Sequence, residues 1–138
     1  MPNEIPWMTL KEVSRRIQDR ELPSVRVTEH MLDRTSQLDP TYRSYATVTP
    51  DLAMEAARKA DADISQGHHR GVLHGVPLAV KDLCDTAGIP TAAGMPIRRE
   101  HVPDQDATVV TRLKDAGAVL LGKLQMTEGA GGAHHPRH

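Results

Sequence analysis

The sequence predicts an α/β fold with a helical N-terminal layer, on three observations. Apolar residues recur at helical spacing through the first half. Two short, unbroken apolar runs, Val76–Val80 and Ala118–Leu121, flank a helical stretch in the second half. Glycine and proline cluster after residue 67. Strand, crossover helix and strand form the unit of a parallel sheet, whose strands, buried on both faces, read as continuous apolar runs.

The elements come in this order. Thr9-Leu10-Lys11-Glu12 fits a capping box, with Thr9 capping the helix start and Glu12 reaching back. Leu10, Val13 and Ile17 continue at helical spacing, and Pro23 is expected to end this element. A second amphipathic stretch carries Val27, Met31, Leu32 and Leu38 and is expected to stop near Pro40. Tyr45 to Val48 reads as a short strand. Thr49 then suits a cap, Pro50 the first helical position and Gly67 the exit of a third helix. Its apolar face is Leu52, Ala53, Ala56, Ala57, Ala60 and Ile64, and so many alanines imply close packing against another element. Val76–Val80 reads as a buried strand with Pro77 near its start. A Gly/Pro-rich loop spans Ala87 to Pro103, a helix Ala107 to Ala116, and a second buried strand Ala118 to Leu121.

Residues 1–70 are thus expected to form the helical layer, 71–130 the start of an α/β core and 131–138 an irregular tail. A parallel sheet that ends two strands in has open edges and an uncovered face, so the sequence reads as the N-terminal portion of something longer.

Composition narrows the function classes. The 138 residues are 38% hydrophobic and 25% charged, as in an ordinary globular chain. A formal net charge of -1, with Lys and Arg dispersed, carries no footprint for nucleic acid or acidic lipid. No apolar run approaches membrane-spanning length, and no basic segment leads into an apolar one at the start. One cysteine, Cys84, excludes an internal disulfide framework, and a reducing, cytoplasmic setting is expected. With no Phe, one Trp and two Tyr, the core must be built from aliphatic residues and Met.

Four features bear on chemistry. Lys81 ends the run Val76–Val80, where sheets of this kind bind ligands, just outside the carboxyl ends of strands. A lysine desolvated there becomes a general base, while its plainer reading is a stem laid along the strand with the amine in water or paired with Asp82. Gly117-Ala118-Val119-Leu120-Leu121-Gly122-Lys123 matches the first part of a phosphate-binding loop, but Leu124 stands where Ser or Thr must hold magnesium. Of the eight histidines, His68-His69 and His134-His135 are adjacent pairs that point apart, and they read as solvated rather than as metal ligands; His74 reads as a hydrogen-bonded structural residue. Cys84, three residues after Lys81, reads as a small packed side chain, because no base and orienting group assemble around it.

The run from Gly71 to Asp82, with Val80-Lys81-Asp82 at its end, resembles the opening of the amidase signature family. Asp85 to Thr91 followed by Gly94, Asp106 to Val110 with Arg112-Leu113, Ala116-Gly117-Ala118, Gly122-Lys123 and Met126-Thr127-Glu128 continue the resemblance in order. Leu38-Asp39-Pro40 and Ala56 through Asp61 extend it, so that it covers roughly residues 9 to 130. The resemblance implies an amide hydrolase built on a large mixed α/β/α sheet, using a serine–cis-serine–lysine triad with no metal or cofactor. Lys81 matches the triad lysine. The family's serines lie well downstream of that lysine, whereas the five serines here, Ser14, Ser24, Ser36, Ser44 and Ser65, all precede Lys81. Smaller departures are Met95, Leu124-Gln125 and Gly131, at positions where the family often has Ser, Thr-Asn and a larger pocket residue.

The sequence supports two readings. In one, the chain is the N-terminal part of an amidase, carrying Lys81 but inactive alone, with a small-molecule amide as the complete enzyme's substrate and a second chain as one source of the serines. In the other, it is a non-catalytic interaction module or remnant whose open sheet is covered by a partner, and Lys81 has no chemical role. Neither reading involves nucleic acid or a membrane.

Overall fold

The computed structural model describes residues 2–132. The expected tail falls outside the described residues from position 133 on, and His134-His135 with it.

A 3-10 segment at Pro2–Trp7, which no sequence signal announced, precedes α1 (Leu10–Gln18). The Thr9 Oγ1 caps α1 by accepting the Glu12 amide at 3.2 Å. Only that half of the capping box forms: the Glu12 carboxylate turns down the helix to Arg16, 2.9 Å away, an i,i+4 partner of opposite charge. The helix ends five residues before Pro23, as Arg20 takes a left-handed conformation with φ 59°. Pro23 instead stands at the N-cap of α2 (Ser24–Tyr42). That helix runs through Pro40 rather than stopping at it. A proline in the last turn forfeits little of the hydrogen-bond ladder. The helix closes at Arg43 (φ 50°), whose amide donates to the Asp39 carbonyl at 2.7 Å.

β1 (Tyr45–Val48), α3 (Pro50–Ser65), β2 (Pro77–Lys81), α4 (Thr108–Asp115) and β3 (Val119–Leu124) complete the order. Thr49 occupies the N-cap of α3, but its hydroxyl donates to the Leu120 carbonyl at 3.2 Å and so binds the helix to β3. Ala53, Ala57, Ala60 and Ile64 form the buried stripe of α3. Leu52, one residue off that stripe, is exposed.

The sheet has the order β1-β3-β2. β2 and β3 are parallel, as strand–helix–strand connectivity requires, and β1 joins the other side of β3 antiparallel. The architecture is therefore a mixed α/β one. Two aliphatic clusters hold it together. Ile5, Val13, Ile17, Val27, Ile64 and Val76 join the helices to the start of β2. Ala53, Ala57, Val119 and Leu121 let α3 lie close against β3. Small side chains at positions 53 and 57 allow that approach, and Tyr45 packs against the cluster from β1.

One irregularity in β3 sets the facing of its second half. Leu78 pairs with Leu120 but Ala79 pairs with Gly122, so Leu121 is an extra residue in the ladder. Such a slip reverses the face that later side chains point to. Leu121 therefore packs on α3, while Lys123, paired with Val80, points to the face carrying Leu78, Val80 and Leu120, beneath Val110 and Leu113 of α4.

Candidate active site

Lys81 is the last residue of β2 and stands at the carboxyl end of the parallel pair. It is exposed, and among the described residues its ammonium has neither a hydrogen bond nor an ion-pair partner. The desolvation expected for it is therefore absent here, and so is a pairing with Asp82. The cause is strand alternation: Val80 and Asp82 turn inward, and Lys81 between them turns out.

The desolvated lysine is Lys123, which is fully buried. Its Nζ donates to the Thr91 Oγ1 at 2.8 Å and lies 3.3 Å from the Asp82 Oδ1. Thr91 Oγ1 in turn donates to the Ile89 carbonyl at 3.1 Å. Asp82, also buried, accepts the Ala92 amide on its Oδ2 at 3.0 Å. Its own amide donates to the Leu124 carbonyl and its carbonyl accepts the Ala93 amide, at 3.0 and 3.1 Å. The Asp82 Oδ2, amide and carbonyl are thus hydrogen-bonded, while its buried Oδ1 has no hydrogen bond and only the Lys123 ammonium as ion-pair partner. The sequence placed Lys123 at the end of a failed phosphate loop and in the Gly122-Lys123 part of the family resemblance, and gave it no role at the site. The available signal was a lysine inside an apolar strand, level with an aspartate just past the neighbouring strand.

The turn after Lys81 is closed by the Cys84 amide donating to the Lys81 carbonyl at 2.9 Å. Cys84 is half-buried. The next loop is tied to α4 through Asp106, which accepts the Ala87 amide at 2.8 Å and the Lys114 ammonium at 2.6 Å. Partial burial pushes the Asp106 carboxyl up, but the Lys114 and Ala87 hydrogen bonds prevail and hold it below its ordinary range.

Four of the five serines spend their hydroxyls on backbone carbonyls. Ser14 and Ser24 donate to the Val72 and Gly75 carbonyls, and Ser36 and Ser65 to carbonyls of their own helices. His74 is the structural residue expected: it is buried, accepts the Arg70 amide on Nδ1 at 3.2 Å and places Nε2 3.8 Å from Asp63. Burial first, then Arg70, push its imidazole below the ordinary value against the opposing Asp63, and His69 adds to the lowering. A cavity of about 410 Å³ between α3 and α4 is lined by His74, Asp63, Arg70 and Lys114, and Lys81 is not among its walls. Among the described residues no group of three or more His, Cys, Asp or Glu side chains is placed to hold a metal ion. None of their helices is long and apolar enough to cross a membrane.

Comparison with known proteins gives one consistent answer. The amidase family model matches residues 26–137. A Mycobacterium tuberculosis protein named "Putative amidase AmiD" is 57% identical over 132 residues, covering 96% of this chain and 28% of its own. A glutamyl-tRNA(Gln) amidotransferase subunit from Cutibacterium acnes is 44% identical over 131 residues, covering 95% and 26%. Among solved structures, the Stenotrophomonas maltophilia peptide amidase superposes with a TM-score of 0.83 at 36% identity, over 90% of this chain and 26% of that one. The chain thus spans little more than a quarter of the length of these relatives.

Proposed function

The chain belongs to the amidase family, and from that membership we propose that it supplies the base of an amide hydrolase, with Lys81 as that base. The observation that carries the reading is the match of Val80-Lys81-Asp82 to the family's lysine motif, together with the place of Lys81 at the carboxyl end of β2. An exposed, unpaired amine at that edge is open to groups brought by further polypeptide.

In the proposed reaction a neutral Lys81 accepts a proton from a cis-serine, which takes the proton of a second serine as that oxygen attacks the amide carbonyl. The C–N bond breaks, the departing amine receives the proton back along the same path, and an acyl-serine ester remains. Water, deprotonated along the same relay, hydrolyses the ester to the carboxylic acid. Neither metal nor organic cofactor takes part. Both serines come from polypeptide outside these 138 residues, in the same chain or in a second one. The substrate class is a small-molecule amide, and the setting is the cytoplasm.

The test is ammonia release from simple aliphatic and aromatic amides. The 138-residue chain alone is expected to release none. Combined with a segment bearing the two serines it is expected to hydrolyse amide, and Lys81→Ala to lower that rate by about 10²–10⁴-fold, the range for loss of a general base. Hydrolysis by the chain alone that disappears in Lys81→Ala would show that the triad is not divided in this way.

A further inference from the structure

Lys81 and Asp82 are neighbours in sequence with opposite fates: one side chain is exposed and the other is 3% exposed. Lys123, from β3, is what meets the buried carboxylate. We propose that Lys123 is a positioning residue for Lys81: through Asp82 it fixes the strand end that carries Lys81 and cancels the negative charge lying one residue away.

Three observations carry this. Lys123 reaches Asp82 only because of the register slip at Leu121; regular alternation would put it on the α3 face with Leu121. The Lys123 ammonium also holds Thr91, and the Ala92 and Ala93 amides hold Asp82, so strand end and adjoining loop form one unit. Finally, a carboxylate buried without a partner acts on nearby charge far more strongly than a hydrated one. Without Lys123, the Asp82 charge would stabilise the Lys81 ammonium and so oppose the neutral amine that the proposed base requires. The inference rests on Lys81 being that base. The other charged or titratable groups about this end are Cys84 and Asp85 on the next turn, Arg98 and His101 near Asp85, Glu128 after β3, and Asp39, Arg43 and Tyr45 at the β1 side. All of them stay constant in the test.

The experiment reads Lys81 directly in the full 138-residue chain. Its five lysines are dimethylated with ¹³C-formaldehyde, the Lys81 signal is assigned by its loss in Lys81→Arg, and its titration is followed by NMR. Lys123→Gln, which keeps a donor for Asp82 and Thr91 but removes the charge, is expected to raise the Lys81 midpoint by roughly half a pH unit or more. Asp82→Asn/Lys123→Met, with both charges gone, is expected to restore the original midpoint, and Lys123→Arg to keep it. An unchanged midpoint in folded Lys123→Gln would overturn the proposal. If Lys123→Gln unfolds while the double variant folds, the uncompensated Asp82 is what the chain cannot hold, in support of charge cancellation. If both unfold, Lys123 serves structure alone and the proposal fails. A midpoint that responds as expected, beside amide hydrolysis indifferent to Lys81→Ala, would instead refute Lys81 as the base.

Discussion

Asp61, on α3, caps α2 from outside that helix: its carboxylate accepts the Ser24 amide at 2.7 Å and the Val25 amide at 3.0 Å. The N-cap position itself is Pro23, which has no side-chain acceptor to offer. A charged acceptor at a helix N-terminus satisfies orphan amides and meets the positive end of the helix dipole. Asp61→Ala is therefore expected to lower stability by about 1–2 kcal/mol, read from urea unfolding, with Asp61→Asn losing less.

Gly122 tolerates no side chain. Its φ of 156° is one that L residues rarely adopt, and an added Cβ would collide with the Thr47 carbonyl oxygen on β1. Gly122→Ala is expected to destabilise the chain by about 3 kcal/mol or more. Hydrogen exchange should show the β1 amides losing protection before those of β2.

Lys81 and Lys123 should separate chemistry from stability. Lys81→Ala removes an exposed, unpaired amine and is expected to shift unfolding by less than about 0.5 kcal/mol. Lys123→Met leaves Asp82 buried and unpaired, and is expected to cost about 3–5 kcal/mol. Adding Asp82→Asn to it should recover much of that loss. Denaturant midpoints of the parent and the three variants give the comparison.

His74 gives stability a pH dependence of defined sign. Burial holds its imidazole below the ordinary value in the folded chain. As pH falls through the ordinary histidine range near about 6.5, the unfolded chain binds the proton first, so stability declines. The decline continues until pH passes the lowered folded-state value and then levels off. His74→Gln is expected to flatten this part of a stability–pH curve. Asp106 acts in a separate, more acidic window: its carboxyl is held low, so its contribution is lost as pH falls through the carboxylate range.

The helices and the two parallel strands were legible because apolar spacing, Pro50 and Gly117 mark them locally. The illegible features depend on partners far along the chain or on small shifts within an element. Glu12 chose Arg16 over the helix start. Pro40 was absorbed because it falls in a final turn. Leu52 belongs to the apolar pattern of α3, yet the sheet meets only the stripe through Ala53 and Ala57. For the site, position was readable and environment was not. Lys81 lies at the strand end expected of it, but strand alternation and its neighbours decide its exposure. Lys123 was passed over because its face depends on a register slip that exists only when β2 is paired beside β3.

That slip also sets how this strand can change over evolutionary time. β3 presents Leu121 to the alanines of α3 and, two positions later, Lys123 to Asp82. Substitutions along it can be tested by selection one at a time. Deletion of the Leu121 codon would instead straighten the ladder, taking the leucine away from Ala53 and Ala57 while leaving Lys123 level with Val80. Descendants of this chain can thus vary in the side chains of β3 far more readily than in the number of its residues.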